Sequence, residues 1–112
     1  MKRAPADLVD EALEHLDAVG ADAGRIYPAE GVWFDGLCLR LAAAVERLAE
    51  LPADLRDAVC GGSWPAVRAT RNRIVHGYFT VDRGVVLRAV ADDVDPMRER
   101  LRLVARVLAE DA

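Results

Sequence analysis

The stretch that decides the fold lies between Ser63 and Gly77 and reads Ser-Trp-Pro-Ala-Val-Arg-Ala-Thr-Arg-Asn-Arg-Ile-Val-His-Gly. Ser63 is of a residue type that caps helix N-termini, and Pro65 follows at a first-turn position where proline is tolerated. Gly77 is a frequent helix stop. These signals predict a helix from Trp64 to His76, and the same helix carries several arginines together with a histidine.

Apolar residues recur at helical spacing before this helix. They predict a first helix from about Ala6 to Ala23, a break over Gly24–Gly31, a second helix from roughly Val32 to Leu51 and a short helix at Pro52–Val59. The second helix should bury one stripe of side chains, consisting of Leu37, Leu41, Ala44, Val45, Leu48 and Leu51.

The chain after Gly77 continues with a predicted short link at Phe79–Asp82 and another helical run from Val85 to Val94. Pro96 is expected to divide that run from a final helix that begins at Met97, because proline disrupts a helix interior. Long helical patterns with short connections predict one all-α domain over residues 1–112. We expect an antiparallel bundle of four to five helices with no sheet.

The composition limits the possible functions. The chain has 15 Lys and Arg residues against 19 Asp and Glu residues, a net charge of −4, so RNA binding would need a local basic patch. Cys38 and Cys60 do not make a disulfide framework, and no Cys or His recurs at metal-ligand spacing, so we expect a reducing compartment and neither metal nor cofactor. Without a bilayer-spanning segment or a leader, the expectation is a soluble cytoplasmic protein with no membrane contact.

Arg71 occupies an unexpected position on the helix that contains it. At about 100° per residue, Trp64, Val67, Ile74 and Val75 define an apolar face, and Arg71 falls in the middle of that face. An arginine that points toward an interior or an interface needs a partner for its charge. That partner could be Glu46 of the second helix, a carboxylate from a second subunit or the phosphate of a ligand.

A polar stripe flanks the apolar face, formed by Arg68, Asn72 and His76 at spacings of four residues. Arg71 and His76 are separated by about 140° on an ideal helix, so they do not automatically converge. The helix could unwind near its end, the arginine could wrap round it, or a second copy of the chain could complete the site. On these residues alone, a structural ion pair and a structural histidine stand slightly ahead of a catalytic pair.

The run from Ser63 to Asp82 closely resembles the signature of the HepT-like toxins. These are HEPN-domain ribonucleases paired with MNT-type minimal nucleotidyltransferase antitoxins. The family pattern is Arg-Asn, a short gap and His-Gly-Tyr, with an upstream Trp and a downstream Val-Asp. This chain has each element at matching spacing: Arg71-Asn72, His76-Gly77-Tyr78, Trp64 and Val81-Asp82. The order of helices is similar over nearly the whole chain, which implies a HEPN-like bundle.

The resemblance implies roles for individual residues. Arg71 and His76 match the family's catalytic pair, and Tyr78 matches the tyrosine that the antitoxin modifies with AMP. Asn72 would orient the histidine or the phosphate, and Arg68 or Arg73 would position the RNA backbone. The implied protein is the toxin of a type VII-like pair, a metal-independent endoribonuclease that uses the ribose 2′-hydroxyl as nucleophile. A homodimer with its active cleft at the interface, the cognate antitoxin and RNA are the implied partners.

The chain departs from the family pattern at one place. Many members carry Ile-Gly-Glu-Ala in the second helix, where this chain has Ala44-Val45-Glu46-Arg47. The glutamate is kept, but Val45 replaces a glycine that would permit close helix approach. The packing beneath the motif is therefore expected to differ from that of other members.

A second function is compatible with the same residues. A HEPN-type dimer could present this cleft to a nucleotide or to a partner nucleotidyltransferase without cutting RNA. The acidic balance of the chain favours this binding module, since no basic stretch interleaved with aromatic residues is present in the sequence. The complete set of Arg71, His76 and Tyr78 favours the nuclease.

Overall fold

The computed structural model describes residues 3–22, 31–77 and 82–111. Within these ranges the chain forms five α-helices and one short 3-10 helix, with no strand. The α-helices are α1 (Pro5–Asp22), α2 (Gly31–Ala49), α3 (Ala53–Cys60), α4 (Trp64–His76) and α5 (Arg83–Glu110), and the 3-10 helix Gly61–Ser63 directly precedes α4. The predicted all-α bundle is confirmed.

One apolar core joins the helices. α1 packs against both α2 and α5, α4 packs against α2, and α3 packs against α5 and α4. The stripe predicted for the second helix is buried throughout, from Leu37 to Leu51. Phe34 is also fully buried, while Trp33 beside it is only partly buried and packs against the core. The packing of α4 against α2 in this core sets the position of α4.

The bounds of α4 agree with the prediction, but its N-terminus is built differently. Ser63 has the backbone angles of a helical residue, φ −90° and ψ −1°, and its side chain makes no capping hydrogen bond. Its hydroxyl instead donates to the carbonyl of Cys60 at 2.5 Å. The prediction of a Ser63 cap was therefore wrong, because the 3-10 helix runs directly into α4 and leaves no extended residue of the kind that a cap requires.

Pro96 does not divide the last helical region, so that prediction was wrong. α5 runs without interruption for 28 residues with Pro96 in its interior. Proline has no backbone N–H, so the carbonyl of Asp92, four residues earlier, lacks its usual hydrogen bond. Asp92 and Pro96 are both exposed, so water can hydrogen-bond to that carbonyl. Buried side chains on both sides of the proline, Val86, Val94, Met97, Leu101 and Val104, hold the helix against the core. Each buried apolar side chain contributes roughly 1.5–3 kcal/mol, which together exceeds the cost of about 3 kcal/mol for the proline.

Two predicted connections fall largely outside the described residues. The break at Gly24–Gly31 is described only from Gly31, where α2 begins, and the link at Phe79–Asp82 only at Asp82. The Asp82 carboxylate accepts a hydrogen bond from the backbone N–H of Val85 at 3.2 Å and so caps α5. Of the helices described, none combines the length and the apolar character needed to cross a membrane.

Candidate functional site

Arg71 lies where α4 packs on α2, and its charge is paired within the chain. Its Nη2 atom donates to Oε1 of Glu46 at 2.7 Å, and its Nη1 atom donates to Oδ1 of Asn72 at 3.1 Å. The Arg71 side chain is 26% exposed and that of Glu46 is 42% exposed. Among the partners considered from the sequence, Glu46 is the one that Arg71 contacts. The two acceptors lie on different helices, Glu46 on α2 and Asn72 on α4, and together they fix the plane of the guanidinium group. Its other N–H groups take no part in these two hydrogen bonds.

The apolar face of α4 around Arg71 is only partly buried within the chain. Val67 and Ile74 are buried and Trp64 is partly buried, in agreement with the predicted face. Val75, the fourth residue of the predicted apolar face, is 44% exposed and so is not buried within the chain. It lies one residue after Ile74, about 100° further round the helix.

A surface cleft of about 350 Å³ opens between the C-terminal half of α2 and the start of α4. Its walls include Glu46, Arg47, Glu50, Trp64, Arg68, Arg71 and Asn72. Across the Trp64 ring, the Arg56 guanidinium carbon lies 4.9 Å from the ring centre. The cleft thus combines an aromatic wall with several cations, the surroundings that a phosphate and a base require.

The charge of the cleft differs from that of the whole chain. Three arginines, Arg47, Arg68 and Arg71, face two glutamates, Glu46 and Glu50. Arg71 pairs with Glu46, and the Nε atom of Arg47 lies 3.1 Å from Oε2 of Glu50. Arg68 is exposed and forms no ion pair with any described residue. A local positive charge of one therefore persists in a chain whose net charge is −4, and the arginine forks present it to solvent in a form suited to phosphate.

His76 lies apart from this cleft. It is the last residue of α4, it is exposed, and it forms no hydrogen bond or ion pair with another described residue. The helix continues to His76 without unwinding, and Arg71 extends toward Glu46 rather than toward the histidine. A single copy of the chain therefore does not bring Arg71 and His76 together.

The comparison with protein families identifies the chain. A family model described as "Ribonuclease HepT-like" matches residues 10–104. The chain belongs to the HepT-like ribonuclease family. The resemblance noted in the sequence is thereby confirmed, and RNA cleavage is the class of activity that the family supports. Neither a curated protein nor a solved structure matches the chain.

The remaining predicted site residues of this HepT-like chain have different surroundings. Asn72 lines the cleft and hydrogen-bonds Arg71, whereas Arg73 is exposed on α4. Tyr78 falls outside the described residues. In the described ranges, no group of three or more His, Cys, Asp or Glu side chains is arranged to hold a metal ion.

Two residues of the HepT-like cleft were missed from the sequence. Arg47 and Glu50 contribute to its wall, whereas Glu46 was the one residue of the second helix predicted to contact the motif helix. The available signal was their spacing in the sequence. Arg47 and Glu50 lie within about one helical turn of Glu46, at the C-terminal end of α2 or directly after it.

Proposed function

We propose that this chain is the toxin of a type VII-like HEPN/MNT pair and that it cleaves RNA as a metal-independent endoribonuclease in the cytoplasm. The observation that carries the proposal is the match to the HepT-like ribonuclease family over residues 10–104, a range that includes the Arg71-to-His76 motif. The geometry of Arg71 supports it. Its guanidinium group is held in an open basic cleft by Glu46 and Asn72.

The chemistry proposed is attack of a ribose 2′-hydroxyl on the adjacent phosphorus. The 2′-oxygen forms a bond to phosphorus, the bond from phosphorus to the 5′-oxygen breaks, and the products are a 2′,3′-cyclic phosphate and a 5′-hydroxyl. His76 accepts the proton of the nucleophile or donates one to the leaving oxygen, since an imidazole can act as a general acid or a general base. Arg71 stabilises the negative charge that develops on the phosphorane.

The neighbouring arginines position the substrate in this proposal. Arg68 forms no ion pair with a described residue, so it is available to an RNA phosphate. Arg73 extends the basic surface along the exposed side of α4. Asn72 holds Arg71 through its side-chain oxygen and leaves its amide N–H groups for the phosphate.

The active cleft requires a second copy of the chain. Because α4 remains helical to His76 and Arg71 is committed to Glu46, we infer that Arg71 of one copy acts with His76 of the other. A two-fold axis would then give each dimer two equivalent clefts. It would also bring the arginines of both copies to one interface.

Control by the antitoxin is proposed to occur at Tyr78. An MNT-type nucleotidyltransferase would transfer AMP from ATP to the tyrosine hydroxyl, releasing pyrophosphate. Tyr78 is two residues after His76 in the sequence, and the added group is proposed to lie close to that histidine. Its phosphate would repel RNA, and its bulk would obstruct access to the cleft.

The deciding experiment compares the wild type with Arg71→Ala and His76→Ala. Purified proteins are incubated with RNA in the presence of EDTA, and growth arrest is recorded on expression. The wild type should cleave RNA and stop growth, and each variant should lose at least about 100-fold in rate, the scale of acid–base and electrostatic contributions. Intact RNA and normal growth with the wild type would overturn the proposal.

Modification is tested separately, by co-expression with the cognate transferase. The wild type should gain one or more AMP masses, and Tyr78→Phe should gain none. An equal gain in Tyr78→Phe would show that another residue is the acceptor.

A non-catalytic binding module remains the second candidate, favoured by one observation. Glu46 forms an ion pair with Arg71, so part of the positive charge of the cleft is neutralised before any ligand binds. If the wild type binds single-stranded RNA or a nucleotide but produces no cyclic phosphate under any condition tested, this second function applies.

A further inference from the structure

Trp64 divides its indole between the core and the cleft that contains Arg71. It is the first residue of α4, and it is partly buried and packs against the core. It also contributes to the wall of the cleft, where it is the one aromatic side chain among the described lining residues. The hydrogen bonds that hold Arg71 go to Glu46 and Asn72 and do not involve the indole. Part of the ring is therefore accessible to a ligand in the cleft.

Arg56 contacts a different part of the same ring. Its guanidinium carbon lies 4.9 Å from the ring centre, yet Arg56 does not line the cleft. The buried Nε atom of Arg56 has no hydrogen-bond partner among the described residues. A cation over an aromatic face is attracted by the quadrupole of the ring. This contact therefore supports the indole from α3 while the cleft side stays open.

The cations of the cleft follow Trp64 along one face of α4. Arg68 comes four residues after Trp64 and Arg71 three residues after Arg68, so the steps along the helix axis are roughly 6 Å and roughly 4.5 Å. All three side chains line the cleft. Arg71 is committed to Glu46, whereas Arg68 is exposed and forms no ion pair with a described residue. An aromatic surface thus lies one helical turn from an arginine that is available to phosphate.

The size of the cleft suits a single nucleotide. Its volume of about 350 Å³ is at the lower end of the range for small-molecule sites. The base and the phosphate of a nucleotide are joined through one ribose, so their binding groups must lie close together. Trp64 and Arg68 meet that condition, since they are neighbours on one helix face.

We propose that Trp64 and Arg68 form a base subsite, in which one nucleotide of the RNA strand places its base against the indole and its phosphate on Arg68. The proposal rests on the proposed function and adds the residue that contacts a base. The next phosphate of the strand would lie toward Arg71, at the following turn of α4. Trp64 would thereby help to set which phosphate is cleaved.

The base subsite selects the form of RNA more than its sequence. Every base has a π face, so stacking on an aromatic ring tolerates all four bases, with modest preferences that follow stacking strength. A base within a duplex is already stacked and paired and cannot reach the indole. The expected substrate is single-stranded RNA, with a modest preference for a purine in the subsite.

Fluorescence tests the contact with the base directly, because Trp33 and Trp64 are the two tryptophans of the chain. The measurement uses His76→Ala, whose altered residue lies apart from the cleft. Guanosine 5′-monophosphate should quench the emission, and ribose 5-phosphate, which has the phosphate but no base, should not. Quenching should disappear in His76→Ala combined with Trp64→Phe, where Trp33 is the remaining tryptophan. Equal quenching by ribose 5-phosphate, quenching that persists without Trp64, or no quenching at all would overturn the proposal.

Calorimetry with Trp64→Leu measures the contribution of the indole. Guanosine 5′-monophosphate and a short single-stranded RNA should each bind roughly tenfold more weakly, within the range for one base stacked on an aromatic ring. Trp33→Leu is the matched control, because Trp33 is also partly buried against the core but lines a different pocket, between α1 and α2. Circular dichroism checks that both variants fold. If Trp64→Leu does not fold, the fluorescence measurement, which retains Trp64, decides the question.

Two results of the calorimetry would overturn the base subsite. One is an equal loss of affinity in Trp33→Leu and Trp64→Leu, which would show a general effect on the core. The other is weaker binding of the mononucleotide with unchanged binding of RNA, which would show a site for free nucleotides only.

Arg68→Gln tests the phosphate half of the subsite. Binding of guanosine 5′-monophosphate should weaken roughly tenfold, the scale of a hydrogen bond to a charged group, while binding of guanosine, which has no phosphate, should not change. Arg73→Gln is the control, since Arg73 is exposed on the same helix but does not line the cleft. An equal loss in both variants, or weaker binding of guanosine by Arg68→Gln, would contradict the assignment of Arg68.

Failure of the base subsite and failure of the proposed function give different results. Quenching by the mononucleotide with no RNA cleavage by the wild type would uphold the base subsite and overturn the nuclease. RNA cleavage by the wild type with an unchanged kcat/KM in Trp64→Leu would uphold the nuclease and overturn the base subsite.

Discussion

At the scale of single residues, the ion pair between Arg71 and Glu46 connects the fold to the chemistry. The two side chains are 26% and 42% exposed, and a pair with this much contact with solvent contributes only about 0–1 kcal/mol to stability. The pair matters because it fixes the orientation of the Arg71 guanidinium group. A guanidinium group held by Glu46 and Asn72 meets an incoming phosphate without first losing rotamer freedom.

We predict that Glu46→Gln lowers kcat about tenfold, which corresponds to about 1.4 kcal/mol of transition-state stabilisation. KM should not rise, because removing a negative charge from the cleft strengthens its electrostatic attraction for RNA. The thermal midpoint should stay nearly unchanged. Steady-state cleavage of a labelled RNA and thermal unfolding measure these quantities.

The matched control for that prediction is Glu50→Gln. Glu50 lies on the same helix end, lines the same cleft and pairs with Arg47 instead of Arg71. An unchanged kcat in Glu46→Gln, or an equal loss in Glu50→Gln, would show that Glu46 does not act through Arg71.

The unusual position of Arg71 could be predicted from the sequence, but the partner of its charge could not. The helical wheel placed this cation on an apolar face, which indicated a buried or interfacial pair. Whether Glu46, a second subunit or a ligand supplied the negative charge depended on the alignment of α2 against α4. That alignment is set by side-chain packing between helices far apart in sequence, so periodicity within one helix does not contain it. For the same reason, the wheel could not show which residues of the apolar face are buried within the chain and which, like Val75, are exposed.

At the scale of elements, predictions succeeded where local signals and packing agreed. The bounds of α4 were predicted correctly because Pro65 lies in its first turn and Gly77 directly follows its last residue. Pro96 is the opposite case. The local signal favoured a break, yet buried residues on both sides of it keep α5 continuous. Tertiary packing therefore outweighed the local preference of proline to end a helix, on which the predicted break at Pro96 was based.

We predict that Pro96→Ala stabilises the protein by about 1–3 kcal/mol, because alanine restores an intrahelical hydrogen bond and removes the clash with the preceding turn. Chemical denaturation followed by circular dichroism measures the change. Pro65→Ala is the control, since Pro65 lies in the first turn of α4, where proline is tolerated, and should change stability by less than about 0.5 kcal/mol. Equal effects at both sites, or a loss of stability at position 96, would contradict this account of α5.

At the scale of the whole molecule, the distribution of charge matters more than its sum. The chain is acidic overall, with a net charge of −4, but arginines concentrate at one end of α2 and at the start of α4. In the proposed dimer, two such groups of arginines would come together. A substrate-sized basic surface would then exist only in the assembled dimer, while each free chain would hold Arg71 and His76 apart.

The most direct test of this account is complementation between two inactive variants. Chains carrying Arg71→Ala and His76→Ala are co-expressed with different tags, and the heterodimer is purified through both tags. One of its two clefts then contains an intact Arg71 from one copy and an intact His76 from the other, so we predict recovery of about half the wild-type rate of RNA cleavage. A heterodimer no more active than either mutant homodimer would contradict the central claim that the active cleft is shared between two chains.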